Sequence, residues 1–170
     1  DEQYDKGGVQ NSLLAARTAL EKAPDWAGGK AGYAAHWRVA RAEAELCDSD
    51  TANKAKHAEA GVAAGRKAVE LEPERVEGNY YLAQALGYSV QDKKGDSKEI
   101  VAEVVRYAEK AAQLDERFDH GGPVRFLGAL YAKAPAPPLS IGDPEKAVKQ
   151  LKRAVEQIGR ASCRERVSSP

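Results

Sequence analysis

Along this chain apolar residues recur every third or fourth position, the spacing that puts them on one side of an α-helix, and no stretch alternates as a half-buried strand would. The stretch His120–Glu156 organises the rest. Its sequence, HGGPVRFLGALYAKAPAPPLSIGDPEKAVKQLKRAVE, predicts a helix, a proline-rich elbow and a second helix. The first helix lines up Val124, Leu127, Gly128 and Tyr131, and the second Ala147, Val148, Leu151, Ala154 and Val155. Neither can bury its stripe alone, so each needs the other and a neighbouring pair. Stacked helix pairs meet that need.

The same pattern runs upstream. AGYAAHWRVARAEAEL predicts a helix with Trp37, Ala40 and Ala44 on one side. CDSDTANK reads as a polar loop with Asp50 or Thr51 as an N-cap. AKHAEAGVAAGRKAVELEP then predicts a helix in which Gly61 and Gly65, four apart, imply close approach of a neighbouring helix. ERVEGNYYLAQALGY, the loop SVQDKKGDSK and EIVAEVVRYAEKAAQLDE form a further pair, with Val104, Tyr107, Ala108 and Ala111 inward.

Residues 4–24 resemble the second half of a tetratricopeptide repeat. Tyr4 falls at the end of the first helix, Gly7 at the turn, Leu13, Ala19 and Leu20 at packing positions, and Pro24 at the closing proline. That resemblance implies an array that began upstream of Asp1. Units at 25–73, 74–116 and 117–157 follow this half unit. The small residue at the first-helix crossing is Ala40, Ala83 and Gly128 in turn, spacings of 83 − 40 = 43 and 128 − 83 = 45. The usual period is about 34, and the surplus is expected in the loops within each unit. The expected fold is therefore all-α: a tetratricopeptide-like solenoid of antiparallel helix pairs with enlarged intra-repeat loops, over residues 1–157. Residues 158–167, IGRASCRERV, resemble a translated sequencing adapter, which implies an artefactual tail at 158–170.

Composition narrows the function. The 26 basic and 26 acidic residues cancel, so no basic surplus points to nucleic acid. No apolar run reaches the roughly 18 residues that a membrane-spanning helix needs. Cys47 and Cys163 stand far apart in no metal-like spacing, and His36, His57 and His120 share none either. HGGP at 120–123 lacks a partnering G-x-S-x-G and reads as a helix start with Pro123 in the first turn. GGKAG at 28–32 lacks the Lys-Ser/Thr of a phosphate loop. The expectation is a chain that is not an enzyme, with no cofactor and no metal; a buried polar cluster around His57 or His120 would point the other way.

What remains is binding. In stacked helix pairs the first helices line one face, and by this register Trp37, Arg41, Tyr80, Gln84, Tyr88 and Arg125 project from it. Aromatics and arginine are the composition of a recognition patch. The second candidate is the apolar elbow, with Pro135, Pro137, Pro138, Leu139 and Ile141, where a loop that only turns would be polar. The alternative for the elbow is folding back into the core.

The elbow carries a narrower likeness. A G-P before a first helix ending R-x-L-G-x-L-Y, a K-A-P…P loop and an I-G-D-x-x-K-A helix start resemble the helical-repeat T component of TRAP-type transporters and related bacterial envelope lipoproteins. The resemblance implies a non-catalytic scaffold, periplasmic or membrane-anchored. Its implied partner is a solute-binding protein, with an apolar small ligand and a homo-oligomer as further implications. The competing expectation is a cytoplasmic protein–protein adaptor.

Overall fold

Among the described residues of the computed structural model there are seven α-helices: α1 (Lys6–Lys22), α2 (Gly29–Ser49), α3 (Lys54–Leu71), α4 (Val76–Gln91), α5 (Lys98–Leu114), α6 (Phe118–Lys133) and α7 (Pro144–Val167). It describes residues 6–22, 29–91, 98–137 and 140–167, and the side chains of 8–18, 29–91, 98–137 and 140–156. Among the described residues there is no strand, as the periodicity predicts. Tyr4, Pro24, Pro138 and Leu139 lie outside the described residues, as do the side chains of Gly7, Ala19, Leu20 and the adapter-like stretch.

Two units divide the chain within α5, one over Asp1–Tyr107 and the other over Ala108–Pro170. In the first, α1 packs on α2, α2 on α3, α3 on α4, and α2 also meets α4 directly. The core is alanine-rich, with Ala40, Ala44, Ala58, Ala68, Ala83 and Ala85 all buried beside Leu46, Leu82 and Leu86. Small side chains let backbones come close, and α3 supplies the closest approach. A Cβ on Gly65 would stand 2.9 Å from Leu82 Cβ and 3.0 Å from its Cα. A Cβ on Gly61 would meet Ala85 at 3.1 Å and Glu43 at 3.3 Å. Both glycines therefore sit where the sequence places helix contacts.

Between α2 and α3 the expected enlarged loop is not found. α2 runs on through Ser49 because Leu46 and Cys47 remain on its buried side, so the eight-residue loop CDSDTANK contracts to Asp50 and a 3-10 turn over Thr51–Asn53. Asp50 makes no side-chain cap to that turn. Its carboxylate instead accepts the Asn53 side-chain amide at 3.1 Å, which holds its pKa below the usual range. α4 likewise continues to Gln91, past the expected loop start at Ser89. In these two places part of the surplus over a short repeat is thus helix. Gly7 also falls inside α1 rather than at a turn.

In the second unit α6 packs on α7. Asp119, His120 and Gly121 form a left-handed turn with φ of 49°, 55° and 75°. Pro123 then stands in the first turn of regular helix, matching the helix-start reading of HGGP. The inward stripe of α6 is as expected: Val124, Leu127 and Tyr131 are buried. The stripe of α7 is corrected. Ala147 and Ala154 are buried, while Val148, Leu151 and Val155 are 52%, 41% and 69% exposed. One helix partner covers only a narrow strip of α7.

Candidate functional site

The direct α2–α4 contact brings two rows of predicted side chains together. On α2, Trp37, Arg41, Glu45 and Asp48 recur at helical spacing over about 16 Å, at 1.5 Å per residue. On α4, Tyr81, Gln84, Tyr88 and Gln91 run beside them. The Trp37 and Tyr81 rings stack with centroids 5.9 Å apart and planes 9° from parallel. The Arg38 guanidinium covers the Trp37 ring at 4.4 Å. Arg41 Nε donates to Glu45 Oε1 at 2.8 Å. The Tyr88 hydroxyl donates to Asp48 Oδ2 at 2.5 Å. Lys54 Nζ stands 5.7 Å over the Tyr88 ring and donates to Gln91 Oε1 at 2.6 Å.

Two features give this face a chemical character. Burial, and then the neighbouring Asp48 carboxylate, push the Tyr88 hydroxyl well above its ordinary pKa, so it stays a donor. Glu45 Oε2 is buried and has no hydrogen-bond partner among the described residues.

The six predicted face residues divide. Trp37, Arg41, Gln84 and Tyr88 are half-buried and share the α2–α4 face. Tyr80 does not: at 3% exposure it lies in the core, its ring 5.1 Å from that of Tyr81. Tyr81, at 4% exposure, is equally buried, and it differs in that its ring backs Trp37. Arg125 belongs to the second unit. It is exposed, and its guanidinium donates to the Asp119 carbonyl at 2.9 Å, bracing the left-handed turn.

The elbow between α6 and α7 is closed at its base. Asp143 N donates to Tyr131 O at 3.0 Å, Gly142 N to Pro135 O at 2.8 Å and Ser140 N to Ala136 O at 3.4 Å. Gly142 is packed so tightly that a Cβ would overlap the Ala134 carbonyl. Pro135, Ala136 and Pro137 are exposed, and Ile141 is half-buried. The described part of the elbow therefore does not fold back into the core.

Sequence reasoning missed a polar cluster. Glu43 is 0% exposed and accepts from both the Arg17 guanidinium of α1 and His57 Nδ1 of α3, the latter at 2.7 Å. His57 Nε2 faces Asp50 Oδ2 at 3.4 Å. A glutamate three residues after Ala40, on the alanine stripe of α2, was the available signal. This is the buried cluster that could have indicated an enzyme. Both ring nitrogens are turned to carboxylates, and the contacts of the cluster are ion pairs and hydrogen bonds between helices. The cluster ties α1, α2 and α3 together instead. Among the described residues no group of His, Cys, Asp and Glu is arranged to hold a metal ion.

The sequence model of the TRAP transporter T-component family matches residues 37–169. This chain belongs to the TRAP transporter T-component family. No curated protein matches it. The match runs from Trp37 within α2 through α7, including both binding candidates and the adapter-like stretch. As a T component the chain is transport-associated and envelope-associated, from a family not known for enzymes. Among its described residues no helix is long and apolar enough to cross a membrane.

Proposed function

We propose that this T component is a non-catalytic binding scaffold that assists solute uptake by contact with the solute-binding protein of its transporter, in the periplasm or anchored to the envelope. The observation that carries the reading is the family match over residues 37–169. The helix pairs stack as tetratricopeptide-like repeats over residues 1–157, with 158–170 as an artefactual tail. The α2–α4 face is the binding surface: Trp37, backed by the buried Tyr81 ring, at one end and the Tyr88–Asp48 donor–acceptor pair at the other. An apolar small ligand and self-association are further parts of the proposal.

The test is isothermal titration of the full chain against the solute-binding protein of the same transporter. Trp37→Ala and Tyr88→Phe are expected to weaken binding about tenfold each, the loss of a well-packed anchor. Tight binding of the unaltered chain with no change in either variant removes the α2–α4 face. No binding of the unaltered chain removes the reading itself.

A further inference from the structure

A neutral imidazole carries one N–H and one lone pair, whereas the imidazolium carries two N–H groups and no lone pair. His57, in the first turn of α3, has Nδ1 2.7 Å from Glu43 Oε2 and Nε2 3.4 Å from Asp50 Oδ2. Both of its nitrogens face acceptors, and only the imidazolium donates to both. The charges around the ring favour the same form. Glu43 of α2 and Asp50 just after it bring two carboxylates, and Arg17 of α1 brings one guanidinium, to Glu43. One negative charge is left over, and a proton on His57 cancels it. Lys54, one turn earlier on α3, is turned instead to Gln91 and the Tyr88 ring of α4. The Asn53 side-chain amide, and then His57 itself, hold the Asp50 carboxyl below the usual range, so it is ionised wherever an imidazole titrates.

We infer that His57 is a proton-operated latch on the α2–α3 junction: charged, it ties α3 to both Glu43 and Asp50, and neutral, it lets Asp50 go. Asp50 is the one released because of what each carboxylate loses. Glu43 is 0% exposed and out of reach of water, so an abandoned Glu43 would stay unsatisfied. The Asp50 side chain is 35% exposed and turns to solvent. Release loosens the short link between the helices, Asp50 and the 3-10 turn over Thr51–Asn53, and leaves the helices themselves intact. The latched form takes up a proton, so its contribution to stability is complete on the acid side and is lost as pH rises. An imidazole ordinarily changes charge near neutrality, at about pH 6.5, which makes this a switch for mild conditions.

Urea unfolding of the full chain at about pH 5.5 and about pH 8, beside His57→Gln and Asp50→Asn, tests the latch. Glutamine donates to Glu43 but cannot gain a proton. The lead of the parent chain over His57→Gln, as a ratio of folding constants, should be about three- to tenfold larger at the acid pH than at the alkaline one. Its lead over Asp50→Asn should narrow in the same direction. His36, whose pKa is lowered by burial and then by Lys67, is present in all three chains and drops out of the comparison. A second measurement needs no variant. In a nuclear magnetic resonance titration of the parent chain, the backbone amides of Thr51, Asn53 and Lys54 should move with the same midpoint as the His57 ring. Equal leads at both pH values overturn the latch and leave His57 a fixed tie. So do amides that stay still while the ring titrates, or a ring that never changes charge over this range. If His57→Gln does not fold, the amide titration decides alone.

Discussion

At Glu43 a single carboxylate is shared by three helices, and the balance of its environment decides what it contributes. A carboxylate with no solvent exposure is costly to bury unless it is paired, and Arg17 and His57 together supply the pairing. Removing it would leave His57, itself largely covered, without its closer acceptor. Glu43→Ala is expected to destabilise the first unit by about 3 kcal/mol, read as a lowered urea midpoint. His120 presents the opposite case. Its φ of 55° and ψ of 44° put a non-glycine residue in the left-handed region, and its side chain is exposed. His120→Gly is expected to stabilise the chain by about 0.5–1 kcal/mol, the relieved backbone strain less the added freedom of the unfolded chain. An unchanged or lowered midpoint would mean that the histidine side chain holds the turn.

Among the elements, α2 is the one to which the first unit is tied, and Tyr33 near its start latches it to α4. The Tyr33 hydroxyl donates to Glu77 Oε2 at 2.9 Å and accepts from Gly78 N at 3.2 Å. Burial, then the bond to Glu77, push its pKa up to about 12 from the ordinary value of 10.0. The native state therefore keeps a proton that the unfolded chain gives up first, so this stabilisation is complete below pH 10 and drains away between pH 10 and 12. In Tyr33→Phe the fall in stability over that range should be shallower than in the parent chain. Equal slopes would show that Tyr33 is not the group responsible. Much at this scale was legible in advance. The 3.6-residue periodicity placed the helices, and Gly61 and Gly65 marked where α3 is closely approached. Helix ends were not legible. CDSDTANK looks polar enough for a loop, but Leu46 and Cys47 hold their side of α2 in the core, and tertiary burial carried the helix on to Ser49.

For the molecule as a whole, the sequence conveyed class and family more readily than it conveyed the site. The short phrases around the elbow pointed to the T component, and the family match over residues 37–169 agrees. The binding face was legible only in part, because a row of aromatics at helical spacing does not say how deeply each is covered. Tyr80 was expected outside and lies inside, as does its neighbour Tyr81, which backs Trp37. Glu43, His57 and Arg17 were invisible as a group since they come from three helices far apart in the chain, and only folding makes them neighbours.

Cys47 gives the first unit a built-in clock. It is buried at the end of α2, with its sulfur 3.7 Å from the Lys54 carbonyl at the start of α3, and burial pushes its thiol up to about 11. A covered, protonated thiol reacts only after the junction of these two helices opens and lets it ionise. Alkylation of Cys47 at pH 8, followed residue by residue by peptide mass, would then count openings of that junction in real time. Labelling is expected to be slow in the parent chain and faster in Glu43→Ala, where α3 has lost a tether to α2. Equal rates would mean that the junction opens independently of the buried carboxylate.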